Sequence, residues 1–163
     1  MSDISFKDFD ILSEQDKAEA LALLNRYDQL EKQDSCQNDF MSFVKHMWPD
    51  FIEGRHHKII AEKFNKIAEG KCKRLIVCLP PRHSKSEFAS TFFPAWMMGK
   101  KGNLKIIQTT HTAELAVRFG RRVRNIIDSK ITNIYSQIYN YKPITSQRDV
   151  GLPTKTVKVF TQV

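Results

Sequence analysis

The residues best suited to chemistry lie at positions 80–87, Pro-Pro-Arg-His-Ser-Lys-Ser-Glu. They follow an apolar run at 75–79, Leu-Ile-Val-Cys-Leu, and precede a segment that can open a helix. A strand, a tight loop and then Lys85-Ser86 at a helix start is an arrangement that grips a nucleotide triphosphate. Backbone N–H groups and the helix dipole face the phosphates, the Lys85 ammonium reaches the β and γ oxygens, and the Ser86 hydroxyl can ligate Mg²⁺. Leu79 and Ser84 stand at the two glycine positions of the G-x-x-x-x-G-K-[ST] pattern, so only Lys85-Ser86 fits it. Glycine serves there because it takes φ > 0 and lets the backbone close on the phosphates. A Ser84 held at φ > 0 is expected to weaken ATP binding through strain, and Ser84→Gly to strengthen it.

The loop resembles the Walker A loop of the large terminase subunits of tailed bacteriophages, which usually carry Gly at the place of Ser84. The likeness continues upstream through Phe43 to Trp48, Pro49-Asp50-Phe51 and Gly54 to Ala61. Downstream it runs through Ile106 to Ala116 and Arg118 to Arg124, in the same order and spacing. The resemblance implies the N-terminal ATPase part of a DNA-packaging motor, whose intact relatives drive double-stranded DNA into the procapsid and trim it with a nuclease domain. ATP and Mg²⁺ are the implied cofactors. The implied partners are the portal protein, the small terminase subunit and further copies of the full-length chain on the procapsid, in the host cell cytoplasm.

Residue by residue, the resemblance implies that Pro81, Arg82, His83, Ser84, Lys85, Ser86 and Glu87 bind ATP, with Mg²⁺ on the Ser86 hydroxyl. Arg82 would act in cis on the γ-phosphate as an arginine finger does. His57 would lie on the adenine side, and Arg118, Arg121, Arg122 and Arg124 would meet DNA or a neighbouring subunit. Plainer roles compete at several of these positions. Arg82 is also a reasonable surface arginine, His83 a residue that shapes the loop, and Ser86 an ordinary helix cap. Glu87 already suits the first helical turn through the dipole. Adjacent His56 and His57 point to different sides of a helix and have no further ligand at metal spacing.

Hydrolysis also needs a carboxylate to hold Mg²⁺ and one to orient water. After Leu79 no apolar run ends in paired acids; Asp128 closes a helical segment and Asp149 lies in a polar stretch. The chain therefore reads as the front of a longer protein that stops before its catalytic carboxylates. Two other readings remain open, a different P-loop ATPase such as a helicase, and a non-catalytic module that binds nucleotide or DNA.

The formal charge of +8 is unevenly spread. Residues 1–53 hold 5 Lys and Arg against 12 Asp and Glu, whereas residues 54–163 hold 21 against 6. A basic portion of that size attracts polyanions. This division sets an acidic helical region (1–53) apart from a basic one (54–163), which the resemblance makes a partial P-loop ATPase domain. A hydrophobic content of 41% indicates a globular chain, and no apolar run is long enough for a bilayer. The acidic N-terminus does not resemble a secretion signal. Cys36, Cys72 and Cys78 lack metal spacing and read as reduced thiols.

These residues need elements to place them. Ser13-x-x-Asp16 resembles a capping box, and Leu21, Leu24, Tyr27 and Leu30 predict an amphipathic helix over 14–33 whose apolar side packs on the core. Docking to a partner is its alternative role. A polar break at 34–38 follows, with Asn38 capping a helix over 39–48 that Pro49 stops. A third helix spans 57–69 with Gly70 as its stop. A strand at 75–79, a helix from Lys85 to Met98 interrupted or kinked at Pro94, and a strand at 104–109 make a βαβ unit. Thr112 caps the next helix, and 156–161 alternates as a half-exposed strand. The expected fold is α/β, a P-loop NTPase-like three-layer parallel sheet, incomplete, preceded by N-terminal helices.

Overall fold

The structure is a computed structural model that describes residues 13–101, 103–128, 134–139 and 158–159. Helices dominate it. They are α1 (Glu14–Asn38), α2 (Phe40–Met47), α3 (Arg55–Ala68), α4 (Lys85–Glu87), α5 (Phe93–Lys100), α6 (Ala113–Ile127) and α7 (Ile134–Tyr139), with a π-helical turn (Phe88–Phe92) joining α4 to α5. Among the described residues, extended pairing is limited to β1 (Ile107–Gln108) and β2 (Lys158–Val159), two short parallel strands.

The three-layer parallel sheet is therefore not formed. Residues 75–79 pair with no strand among the described residues, and residues 104–109 contribute only β1. Leu75, Val77 and Leu79 rest against the core, whereas Ile76 is 89% exposed and Cys78 is exposed as well. An apolar run is buried on both faces only when helices or strands cover both. Here helices cover one. Of the expected strand at 156–161 only β2 lies within the described residues.

Local signals set the helix ends. The Ser13 hydroxyl accepts the Asp16 N–H at 3.3 Å and starts α1. That helix runs through the expected polar break, because its last turn finds partners. Cys36 is buried in the core, the Gln37 amide donates to the Ile138 carbonyl, and Asn38 donates to Asp34 at 2.9 Å. Asp39 rather than Asn38 caps α2, accepting the Ser42 N–H at 2.7 Å. Gly70, at φ 79, closes α3 in a left-handed conformation that glycine takes without cost. Pro94 does not end its helix. It sits in the first turn of α5, just after the widened π turn, so the carbonyl its ring would strike in a regular α-helix is already displaced.

The helices meet around Phe40, which is wholly buried. Its ring sits edge-on to Phe64 (5.1 Å), Phe88 (5.5 Å), Phe93 (5.9 Å) and Trp96 (5.5 Å). The Asn65 carboxamide fixes this corner, accepting the Phe40 N–H at 2.9 Å and donating to Asp39 at 2.7 Å. Three ring polar groups in this core find backbone carbonyls, whereas the buried His57 Nε2 has no hydrogen-bond partner among the described residues. Trp96 Nε1 donates to the Cys36 carbonyl (2.9 Å), the Tyr135 hydroxyl to the Ala95 carbonyl (2.9 Å) and the Tyr139 hydroxyl to the Trp96 carbonyl (3.3 Å). Core residues come from both sides of position 53.

The apolar side of α1 departs most from expectation. Leu21, Leu24, Tyr27 and Leu30 are all more than half exposed rather than packed. The helix joins the core only at its C-terminal end, through Cys36. No helix among the described residues is long and apolar enough to cross a membrane.

Removing the central ring tests this packing. Phe40→Ala should cost about 3–5 kcal/mol of folding stability, since four aromatic neighbours are left around a void. A urea midpoint equal to the parent's would show that the cluster does not carry the fold.

Candidate functional site, the loop at residues 79–87

The loop leaves the extended segment at Leu79 and returns to helix at Lys85. Two residues in it take left-handed backbone, Arg82 at φ 65 and Ser84 at φ 56. Non-glycine residues pay on the order of 1 kcal/mol or more for this region. Left-handed and right-handed residues in succession turn their N–H groups into one concavity, the geometry of an anion-binding nest. Ser84 is followed at once by the right-handed turn of α4, and its carbonyl accepts the Phe88 N–H at 2.9 Å.

The expected site residues fall together. Pro81, Arg82, His83, Ser84, Lys85, Ser86 and Glu87 line one open cavity of about 580 Å³ with Leu79 and Pro80. Lys85 Nζ donates to the Leu79 carbonyl at 3.3 Å, so its ammonium is folded back across the loop. His83 Nδ1 lies 2.8 Å from the Pro81 carbonyl and braces the turn. Arg82 is exposed, and Ser86 presents its hydroxyl at the helix start. A second cleft shares Lys85 and Ser86 on the other side, walled by Phe64, Ile67, Leu75, Val77 and Phe93.

Glu87 has a role that the sequence does not show. Its carboxylate pairs with the Arg122 guanidinium and ties α6 to the loop helix. Arg122 is thereby separated from the other arginines of its cluster. Arg118, Arg121 and Arg124 are exposed and have no ion pair among the described residues.

His57 is only 6% exposed. Its ring stacks on Phe88 (5.1 Å) and meets Phe51 edge-on (4.8 Å). Nδ1 accepts the Gly54 N–H at 3.0 Å, the return arm of a cap on α3, so the proton of the neutral ring sits on Nε2. The ring is enclosed by protein rather than presented to a base, and the adenine-side role has no geometric support. Through His56, 3.8 Å from His57 and 5.4 Å from His83 between ring centres, the cap nevertheless connects to the loop. Neither the Phe51–Phe88 clamp nor the Arg122–Glu87 tie has a signal in the spacing, because both join segments far apart in the chain.

Phosphate and metal make different demands here. For phosphate the loop offers a lysine, a helix start and two left-handed residues. For Mg²⁺ the chain offers the Ser86 hydroxyl, and among the described residues no group of three or more His, Cys, Asp or Glu gathers to hold a metal. Mg²⁺ commonly keeps several waters and takes phosphate oxygens, so one hydroxyl is an adequate protein contribution beside a bound nucleotide. The cysteines are unbridged, and burial, with Asp39 adding to it, pushes the Cys36 thiol up to about 11.

No family model, curated protein or solved structure matches the chain.

Burial, and after it the neighbouring His56, holds His57 below its ordinary value of 6.5; burial, then Lys32, does the same to His46. As pH falls below 6.5, the unfolded chain takes up protons at these positions before the folded chain does. The contribution of the two histidines is therefore lost through that window and levels off once their lowered folded values are passed. His57→Gln, which does not titrate, should flatten the fall, leaving the part due to His46. Urea midpoints on the two sides of 6.5 check this, and an unchanged slope would remove His57 from the account.

Proposed function

We propose that the chain binds ATP at residues 81–87 and is the N-terminal part of a viral DNA-packaging terminase large subunit. One observation carries the nucleotide reading. Ser84 takes the left-handed conformation that a phosphate loop demands, immediately before a lysine at a helix start. The family reading rests on the collinear likeness of the segments around that loop. In it the chain serves an ATP-driven translocase of double-stranded DNA in the host cytoplasm, working with the portal protein and the small terminase subunit on the procapsid.

In this role the backbone N–H groups after Ser84 and the Lys85 ammonium bind the phosphates. The Ser86 hydroxyl supplies one oxygen to Mg²⁺, and Arg82, exposed on the loop, reaches the γ-phosphate from the same polypeptide. Bound Mg²⁺ would draw charge from the phosphate oxygens. Glu87 is committed to Arg122, so no carboxylate lining the loop is free to orient water. That tie favours nucleotide binding without turnover by this polypeptide.

Isothermal calorimetry with ATP and Mg²⁺ tests the site. Binding is expected for the parent chain and lost in Lys85→Ala. Ser84→Gly relieves on the order of 1 kcal/mol of backbone strain. The gain should appear as several-fold tighter ATP binding to the extent that the loop changes shape on binding, and as higher folding stability for the remainder. If Lys85→Ala binds ATP as the parent does, the loop is not a phosphate site.

Turnover is a separate measurement. The 163-residue chain should release phosphate from ATP at no more than a trace rate. Release at the rate of an ordinary ATPase, abolished by Lys85→Ala, would show that a carboxylate outside the loop serves.

A further inference from the structure

His83 suits a phosphate in only one of its protonation states. Its Nδ1 lies 2.8 Å from the Pro81 carbonyl, which can only accept, so Nδ1 carries the proton of the neutral ring. Nε2 is then left with a lone pair. A phosphate oxygen is an acceptor too, and a lone pair set against it repels. A second proton, on Nε2, makes the ring a charged donor and leaves the brace to Pro81 intact.

The protein's own groups oppose that second proton. Arg82 and Lys85, both cationic, line the cavity beside His83. From α3 the His56 ring meets His83 edge-on, 5.4 Å between centres, and His57 stands 3.8 Å behind it. Nε2 of His56 and of His57 is buried with no hydrogen-bond partner among the described residues, so this row has no acceptor to share a charge. Arg55, next to His56, is exposed. The nearby carboxylates are committed. Glu53 pairs with Lys45 at 2.6 Å and approaches Lys58 at 4.0 Å, and Glu87 is tied to Arg122. Burial, then His56, and more weakly His83 hold His57 below its ordinary value, with Glu53 opposing them, so the three rings act on one another through charge. A polyphosphate reverses this balance, because negative charge within about 4–6 Å of an imidazole favours its protonated form.

We propose that His83 binds the phosphates of ATP as an imidazolium, taking up one proton at Nε2 as the nucleotide enters. The proton comes from solvent, and no covalent bond of the nucleotide changes. The inference rests on the ATP reading of the loop and adds that binding strengthens as pH falls. That sign is opposite to the effect of His57 on folding, where the protonated ring is the disfavoured one.

Calorimetry with ATP and Mg²⁺, run in two buffers of different ionisation heat, counts the protons taken up. His83→Asn is the reference, since its amide can keep the bond to the Pro81 carbonyl and does not titrate. Protons that ATP itself exchanges appear in both chains, so the difference between them belongs to this side chain. At about pH 7 the parent should take up roughly half a proton more than His83→Asn. From about pH 8 to about pH 6 its affinity should rise about fivefold more than the variant's. The Cε1–H resonance of His83, identified by its loss in the variant, should titrate at higher pH with ATP bound than without. Equal uptake by the two chains, or a His83 resonance that titrates at the same pH in both states, overturns the proposal and leaves the ATP site standing. A parent chain that binds no ATP anywhere in this range overturns the site and the inference together.

Discussion

The burial of Phe40 among four aromatic rings is the constraint on which the rest of the molecule depends. Those rings come from α3, the π turn and α5, so one side chain at the start of α2 fixes three other elements. Phe88 is the residue next to Glu87. The loop is thereby anchored at its helical end by the hydrophobic core, and its backbone shape follows from where that core holds the helix. Edge-to-face ring pairs add directional preference to area burial, which sets orientation as well as attraction.

The cost of that arrangement falls on the loop. Two non-glycine residues in left-handed conformations are tolerated because the chain is pinned on both sides. Leu79 is held on the core before the loop, and Phe88 after it. The Lys85 ammonium and the His83 ring each close on a carbonyl of the same turn. A second clamp, His57 between Phe51 and Phe88, supports the anchor from α3, and its buried neutral imidazole couples that support to pH.

Charge is partitioned as strongly as packing. The acids of α1 and the arginines of α6 lie on separate helices of one chain, with the Glu87–Arg122 pair as the inner contact of the basic helix. Surface charges that face water contribute little individually. On α1 they lie beside the exposed Leu24 and Tyr27, and on α6 beside the exposed Val117.

Much of the local structure was legible in the chain. Ser13 and Thr112 mark helix starts because a hydroxyl satisfies an orphan N–H within three residues, and Gly70 marks a stop because it alone takes φ > 0 freely. Lys85-Ser86 after an apolar run was enough to single out the loop, and its residues line one cavity as their adjacency requires. The long-range partners were not legible. The apolar run at 75–79 suits a strand, yet a ladder needs a neighbour with free N–H and C=O groups at the right register, and none among the described residues pairs with it. The helical period of Leu21, Leu24, Tyr27 and Leu30 states that they share a side, not that the core reaches that side. Sequence by itself determined several caps and stops and which residues the loop gathers, because these depend on residues within a turn of one another. Only the tertiary structure decided which apolar faces are covered, that Arg122 closes on Glu87 and that His57 is enclosed, because each depends on contacts between residues distant in the chain.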